Sequence, residues 1–217
     1  MDILRLSTTT STQDVARHLP LGTAVVSDHQ AAGRGRLDRR WDAPPGSALL
    51  ASFVLPHHPL ASLAAGVAAA AATSPLVRLK WPNDLILEGG KLGGILVESD
   101  QNRCLVGIGI NLTWAPPGGA MLPLGRDQLL ERLGGELERW LTSPSELVLE
   151  AWRAISVTLG QWVRVDLGRL GMREGLAQDV DSDGALLVAG QRVWSGDVVH
   201  LRPGPDQPLP AESDQER

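Results

Sequence analysis

Apolar and polar positions along this chain change their spacing several times, and each change marks an element. ILRL at 3–6 reads as a short strand. TSTQDVARHL at 10–19 follows with helical character, with Ser and Thr suited to capping and Asp14 in the first turn. TAVVSD at 23–28 is strand-like, and residues 29–47 then interrupt the pattern with Gly, Pro and charge, which predicts a long, mobile loop. ALLASFVL at 48–55 predicts a buried strand and LASLAAGVAAAAA at 60–72 a buried helix. VRLKW, LIL, GGILVES and CLVGIGINLTW predict a mostly antiparallel meander, with turns at Pro82-Asn83-Asp84, Gly89-Gly90 and Asp100-Gln101-Asn102. Helical spacing over 124–158 predicts two helices broken near Ser143-Pro144. After about Gly160 the short strands WVRVDL, REGLAQDV, GALLVAG, QRVW and DVVHLR follow, with a hairpin turn at Asp183-Gly184. The expected fold is α+β: a mixed, largely antiparallel sheet with helices over 1–159, a small barrel-like β-domain over 160–204, and a loose tail over 205–217.

Composition narrows the class. A hydrophobic fraction of 43% in 217 residues supports one good-sized domain and a small appendage rather than a disordered chain. The net charge of −5 argues against wrapping long nucleic acid, so no nucleic-acid partner is expected. A single cysteine, Cys104, excludes an intramolecular disulfide and a multi-cysteine metal cluster. MDILRLSTTTST has no basic start followed by an apolar run, and the apolar stretch at 60–72 is too short to span a bilayer. A soluble, cytoplasmic protein without a membrane partner is the expectation.

Charge chemistry singles out a few segments. Lys80 and Lys91 are the chain's lysines, and all its other cationic side chains are Arg. A compact ammonium and a planar guanidinium are not interchangeable, so KWPNDLILEGGKLGG at 80–94 deserves a functional reading. QAAGRGRLDRRW at 30–41 combines glycines, which let a backbone approach a ligand, with Arg34, Arg36, Arg39 and Arg40, which offer forked donors for phosphate or carboxylate. Its bland reading is a solvated basic loop. The flanking apolar strands and Trp41 tilt toward a loop held over a sheet. GRGRLD lacks the third glycine and the following helix of a dinucleotide fingerprint, and no GxxxxGK[ST] stretch exists. KWPNDL presents Asp84 on a turn, although Asn83 and Asp84 also suit a turn for local reasons. Gly93 and Gly94 after Lys91, and Gly107 and Gly109 before Asn111, leave strands bare for close approach. Cations on a loop and a hairpin, bare strands and no metal cage fit a site that brings two anions together, one attacking the other.

In order and spacing, STQ at 11–13, QAAGRGRLDRRW, KWPNDL, KLGGILVE and GIGIN resemble the motifs of biotin–protein ligases (biotin–[acetyl-CoA-carboxylase] ligases), over roughly residues 5–205. The resemblance implies a class II synthetase-like catalytic domain followed by an SH3-like barrel. It also implies biotin and Mg2+-ATP as substrates, biotinyl-5′-AMP as intermediate, and a lysine of a biotin carboxyl carrier protein domain as acceptor. By resemblance, Ser11, Thr12 and Gln30 hold the ureido and ring end of biotin, with Gln13 nearby. Gly33, Arg34, Gly35 and Arg36 lie along the carboxylate and phosphates, with Arg36 closest to the reacting group. Lys91 stands at the carboxylate and the α-phosphate, and Gly94 and Gly109 wall the biotin slot. Arg39, Trp41, Lys80, Asn83, Asn111 and Arg202 serve the ATP half. Asp84 orients or deprotonates the incoming lysine. No metal ligands are expected from the protein itself.

Departures accompany the match. Gln13 stands where the family usually has Asn, and Leu37-Asp38 where a glycine-containing basic pair is common. Some relatives carry an N-terminal helix-turn-helix domain; here the motifs begin within about ten residues of Met1, so no operator binding is expected. A lipoate or octanoate ligase on a related fold and a non-catalytic biotin-sensing module are the competing readings. The meander is expected to leave an open sheet edge, and with the family's habit of pairing through its sheets this predicts a homodimer.

Overall fold

Residues 48–55 are buried on both faces, and they show how the layers arise. Leu49, Ala51, Phe53 and Leu55 face one side and join the main apolar core, whereas Val54 faces the other and packs with Ala16, Val25 and Leu105. A strand covered on both sides belongs in the middle of a sheet. The computed structural model of the chain describes residues 1–37 and 39–201; Asp38, the expected ATP contact Arg202 and the expected tail at 205–217 lie outside the described residues.

The main sheet contains β1 (Asp2–Thr9), β2 (Thr23–Gln30), β3 (Ala48–Pro56), β4 (Arg78–Lys80), β5 (Asp84–Leu87), β6 (Gly90–Ser99) and β7 (Arg103–Asn111). Their order is β1-β2-β3-β7-β6-β5-β4. β1 and β2 run parallel, joined through the short helix α1 (Thr12–Ala16), and the other neighbours are antiparallel. Ser11 takes the N-cap position of α1, yet its side chain makes no capping hydrogen bond. The helices α2 (Ala61–Thr73), α3 (Arg126–Leu141) and α4 (Ser145–Ala154) complete the main core. α2 is apolar almost all round because the sheet, α3 and α4 surround it. α3 instead buries one stripe, Leu129, Leu130, Leu133, Leu137 and Leu141. Pro144 stands at the break between α3 and α4, where a ring without an N–H suits a helix start.

The meander's outer edge is covered, contrary to expectation. The Leu79 amide donates to the Ile155 carbonyl at 2.8 Å, and the Val157 amide donates to the Leu79 carbonyl at 2.9 Å. The edge without a second neighbour among the described residues is β1, which exposes Ile3 and Leu4. The loop expected over 29–47 is also more ordered than its composition suggests. Arg34 and Arg40 form an antiparallel bridge, closed by Gly35 N to Arg39 O at 2.7 Å and Trp41 N to Gly33 O at 2.9 Å.

A second sheet holds β8 (Trp162–Asp166), β9 (Met172–Val180), β10 (Leu186–Val188), β11 (Gln191–Val193) and β12 (Asp197–His200), ordered β11-β10-β9-β8-β12. A 3-10 turn at Gly168–Leu170, unforeseen in the sequence, links β8 to β9. Val163, Val165, Ala177, Val180, Leu186 and Val188 belong to the same apolar core as α2 and α3. Trp81 joins the two sheets: its amide donates to Thr158 Oγ1 at 2.9 Å and its indole N–H to the Gly184 carbonyl at 3.2 Å.

Cys104 on β7 is fully buried, and its thiol donates to the Pro56 carbonyl at 3.3 Å. Burial pushes the thiol up to about 11. The folded protein is therefore expected to resist a thiol reagent at pH 8 and to label fully in urea. Rapid labelling without denaturant would show that the core around β7 opens easily.

Candidate functional site

The face of the sheet opposite α2 and α3 carries a cavity of about 290 Å³. Strand alternation selects much of its wall: Leu50 and Ser52 from β3, Gly107 and Gly109 from β7, Gly94 and Leu96 from β6, and Asp84 from β5. Lys91 reaches this wall by an irregularity. Leu85 pairs with Gly93 but Ile86 pairs with Lys91, so Leu92 has no partner on β5. This bulge lets Leu92 stay fully buried while Lys91 faces the cavity. There the Lys91 ammonium lies 2.6 Å from Asp84 Oδ1 and 5.9 Å from the centre of the Trp41 ring.

The buried end of the cavity is a row of oxygens. Gln30 Oε1 accepts from the Thr12 amide at 2.7 Å and from the Thr12 hydroxyl at 3.0 Å. Thr12 Oγ1 lies 2.8 Å from Ser52 Oγ, and the Ser52 hydroxyl reaches Gln13 Oε1 at 3.0 Å. Each hydroxyl has one proton, so three oxygen–oxygen contacts share two protons. Thr12, Gln13 and Ser52 are all at most 3% exposed, so this wall is short of a donor where water is scarce. The Gln13 amide also donates to the Leu105 carbonyl at 3.2 Å and the Leu96 carbonyl at 3.4 Å, tying β7 to β6. Its length suits this bridge, and a Cβ at Gly107 would stand 2.6 Å from Gln13 Oε1.

The open end is cationic. Arg34, Arg36, Arg39, Arg40, Lys80 and Lys91 line it, against the carboxylates Asp84 and Asp197. The Arg36 guanidinium donates to Asn83 Oδ1 at 3.3 Å and to the Gly196 carbonyl at 3.4 Å. Burial pulls its pKa down, with Asp84 opposing and Arg39 adding to the fall. Lys80 is lowered by burial too, with Asp84 opposing and Lys91 adding. Burial, and then the charge of Lys80, lowers His200. Desolvation leads these shifts and neighbouring cations add the smaller part, so a bound anion would favour the charged forms. Arg39 pairs with Asp197, and Arg34 pairs with Asp14 at 2.8 Å and Glu98 at 3.1 Å.

Among the expected site residues, Ser11, Thr12, Gln13, Gln30, Arg34, Gly35, Arg36, Arg39, Trp41, Lys80, Asn83, Asp84, Lys91, Gly94 and Gly109 come together on the wall. Gly33 and Asn111 stand off it. Gly33 lets the chain close on itself, because a Cβ there would lie 2.3 Å from the Trp41 carbonyl. Asn111 is buried and donates to the Ala120 carbonyl at 2.9 Å and the Lys91 carbonyl at 3.3 Å, so it fixes the backbone behind Lys91. The bare faces of Gly94 and Gly109 seat Trp41: a Cβ at Gly109 would lie 2.5 Å from its ring and one at Gly94 3.2 Å. Sequence reasoning missed Ser52, Gly196 and Asp197, all on the wall. For Ser52 a signal existed, a hydroxyl inside an otherwise apolar buried strand.

The sequence profile of the biotin/lipoate A/B protein ligase family matches residues 4–114. A biotin–[acetyl-CoA-carboxylase] ligase of Mycobacterium tuberculosis is 37% identical over 83% of this chain and 80% of its own length. One from Paracoccus denitrificans is 32% identical over 85% of this chain and 93% of its own. A biotin protein ligase from Aquifex aeolicus, solved with biotin and ATP, superposes with a TM-score of 0.77 at 25% identity, covering 93% of this chain and 99% of the other.

The crowding at Gly107 gives a direct check of the polar floor. Gly107→Ala pushes a methyl into Gln13 Oε1 and is expected to lower stability by about 2 kcal/mol in urea unfolding. Gln13→Ala should then add little in that background, because the tie is already broken; full additivity would mean that the two residues do not share a contact.

Proposed function

The chain belongs to the biotin/lipoate A/B protein ligase family, and from that premise we propose how its cavity works as the active site of an ATP-dependent biotin–protein ligase. The biotin carboxylate attacks the α-phosphate of ATP, forming biotinyl-5′-AMP and releasing pyrophosphate. A lysine amine of a biotin carboxyl carrier domain then attacks the acyl carbonyl, and AMP leaves.

The observation that carries biotin, rather than lipoate or octanoate, is the proton shortage along Gln30, Thr12, Ser52 and Gln13. A ureido group brings N–H donors to such a wall. A dithiolane or an alkyl chain brings none and would leave the row one donor short. The opposite end of the same cavity then receives the carboxylate among cations. Trp41, assigned to the ATP half by resemblance, packs against Gly94 and Gly109 and would also border the biotin slot that those glycines wall.

Lys91 would serve both anions. Carboxylate and phosphate repel each other, and an ammonium between them lowers the barrier most as charge builds in the transition state. Asp84 pairs with Lys91 and, once the acyl-adenylate has formed, would be the carboxylate that orients the incoming amine. Arg36, buried and facing Asn83, takes the phosphate beside the reacting carboxylate, while Arg39 and Lys80 serve the rest of the nucleotide. Asn111, assigned to the ATP half by resemblance, would contribute by fixing the Lys91 backbone.

Mg2+ enters as part of the nucleotide substrate. Among the described residues no group of three or more His, Cys, Asp or Glu is arranged to cage an ion, and Asp84 and Asp197 are engaged with Lys91 and Arg39. This donor set fits an ion held mainly by phosphate oxygens, where it would shield their charge. A second copy would dock along the β1 edge, which has no second strand neighbour among the described residues, since the β4 edge is covered. No helix among the described residues is long and apolar enough to cross a membrane.

ATP–pyrophosphate exchange tests the substrate assignment. Exchange is expected with biotin and not with lipoate or octanoate; exchange with lipoate alone would overturn it. Lys91→Arg keeps the charge but spreads it over a planar fork, and is expected to slow biotin-dependent exchange by roughly a hundredfold. A near-normal rate would remove Lys91 from the reacting centre.

A further inference from the structure

Two consecutive residues at the start of β12, Gly196 just before it and Asp197 its first, grip the arginine segment. The Gly196 carbonyl accepts from Arg36 Nη1 at 3.4 Å, and the Asp197 carboxylate pairs with Arg39. Gly196 makes this reach possible, because a Cβ there would lie 2.5 Å from Val165 and 2.7 Å from the Asp166 carbonyl; the chain must pass close over β8 to bring residue 197 to the cavity. Asp197 and Arg39 both line the cavity, and no other carboxylate is paired with Arg39 among the described residues.

We propose that Asp197 is a positioning residue for the nucleotide, acting through Arg39: it holds the guanidinium at the cavity mouth before ATP binds, competes with phosphate for it, and takes it back as pyrophosphate leaves. This rests on the assignment of Arg39 to the ATP half. The pair suits such an exchange because it is weak. Arg39 is 64% exposed and Asp197 29%, so solvent screens their attraction. A polyphosphate offers more charge and a better match to the guanidinium fork, and it displaces a single carboxylate. The carboxylate also lies beside the expected polyphosphate as a like charge, which favours release of the product.

The competition has a sign that simple damage would not produce. Asp197→Asn removes the charge and keeps the shape. It is expected to lower the KM for ATP about threefold and to tighten inhibition by pyrophosphate by a similar factor, the size of one exposed ion pair. Asp197→Glu should return both values toward wild type. Asp197→Ser serves the same purpose should the asparagine variant fold poorly. Arg39→Gln separates the premise from the proposal. If Arg39→Gln raises the KM for ATP and abolishes the effect of Asp197→Asn, the latch stands. If Arg39→Gln raises KM but Asp197→Asn leaves KM unchanged or raises it, the latch is overturned and Arg39 keeps its nucleotide role. An unchanged KM in Arg39→Gln overturns the assignment of Arg39 and the latch with it.

Discussion

Leu92 has no partner on β5, and that bulge turns the Lys91 ammonium to the side of the sheet where Asp84, Trp41 and the arginines lie. Regular alternation back from Gly94 would put Leu92 into the cavity and Lys91 toward the apolar layer under α2. A buried ammonium without a partner would be strongly unfavourable there. The bulge instead gives Leu92 full burial and leaves Lys91 45% exposed and paired with Asp84. Gly93 completes the device, because a Cβ there would lie 2.6 Å from the Gly109 carbonyl and 2.9 Å from Leu85. Asn111 then pins the Lys91 carbonyl from behind. The position of the ammonium thus rests on register, a missing side chain and one amide.

Once Lys91 is in place, the cavity becomes a problem of like charges. Six cationic side chains face two carboxylates on its wall, and the lowered pKa values of Arg36, Lys80 and His200 record the desolvation and repulsion. Such an arrangement is costly when empty and favourable when anions fill it, which is the electrostatic pattern expected of a site that joins a carboxylate to a phosphate. The buried end has the opposite character, neutral and rich in acceptors. A ligand with N–H donors at one end and a carboxylate at the other answers both ends together.

Much of this layout was legible in the sequence. The continuous apolar run at 48–55, the helix break at Ser143-Pro144 and the short strands after Gly160 follow from local chemistry and appear as expected. The unusual lysine at position 91 and the arginine loop pointed to the cavity before any contact was visible. The bulge was not legible, because it depends on how β5 registers against β6. The bare glycines were readable as close approach, but what approaches Gly107 is Gln13, and what approaches Gly109 is Trp41. Asp197 and Gly196 were invisible for a related reason. Their importance comes from a contact with a loop some 160 residues earlier, and nothing near them in sequence announces it.

The assignment of the ammonium to the ligand carboxylate can be measured without turnover. Calorimetry would compare biotin with its primary amide, which keeps the ureido end and loses the negative charge, in wild type and in Lys91→Met. A charge-assisted hydrogen bond contributes about 1.5–3 kcal/mol, so wild type is expected to prefer biotin by roughly tenfold or more. Lys91→Met should bind the amide nearly as wild type does while losing most of that preference. A preference for biotin that survives intact in Lys91→Met would contradict the assignment and move the carboxylate to another cation of the cavity.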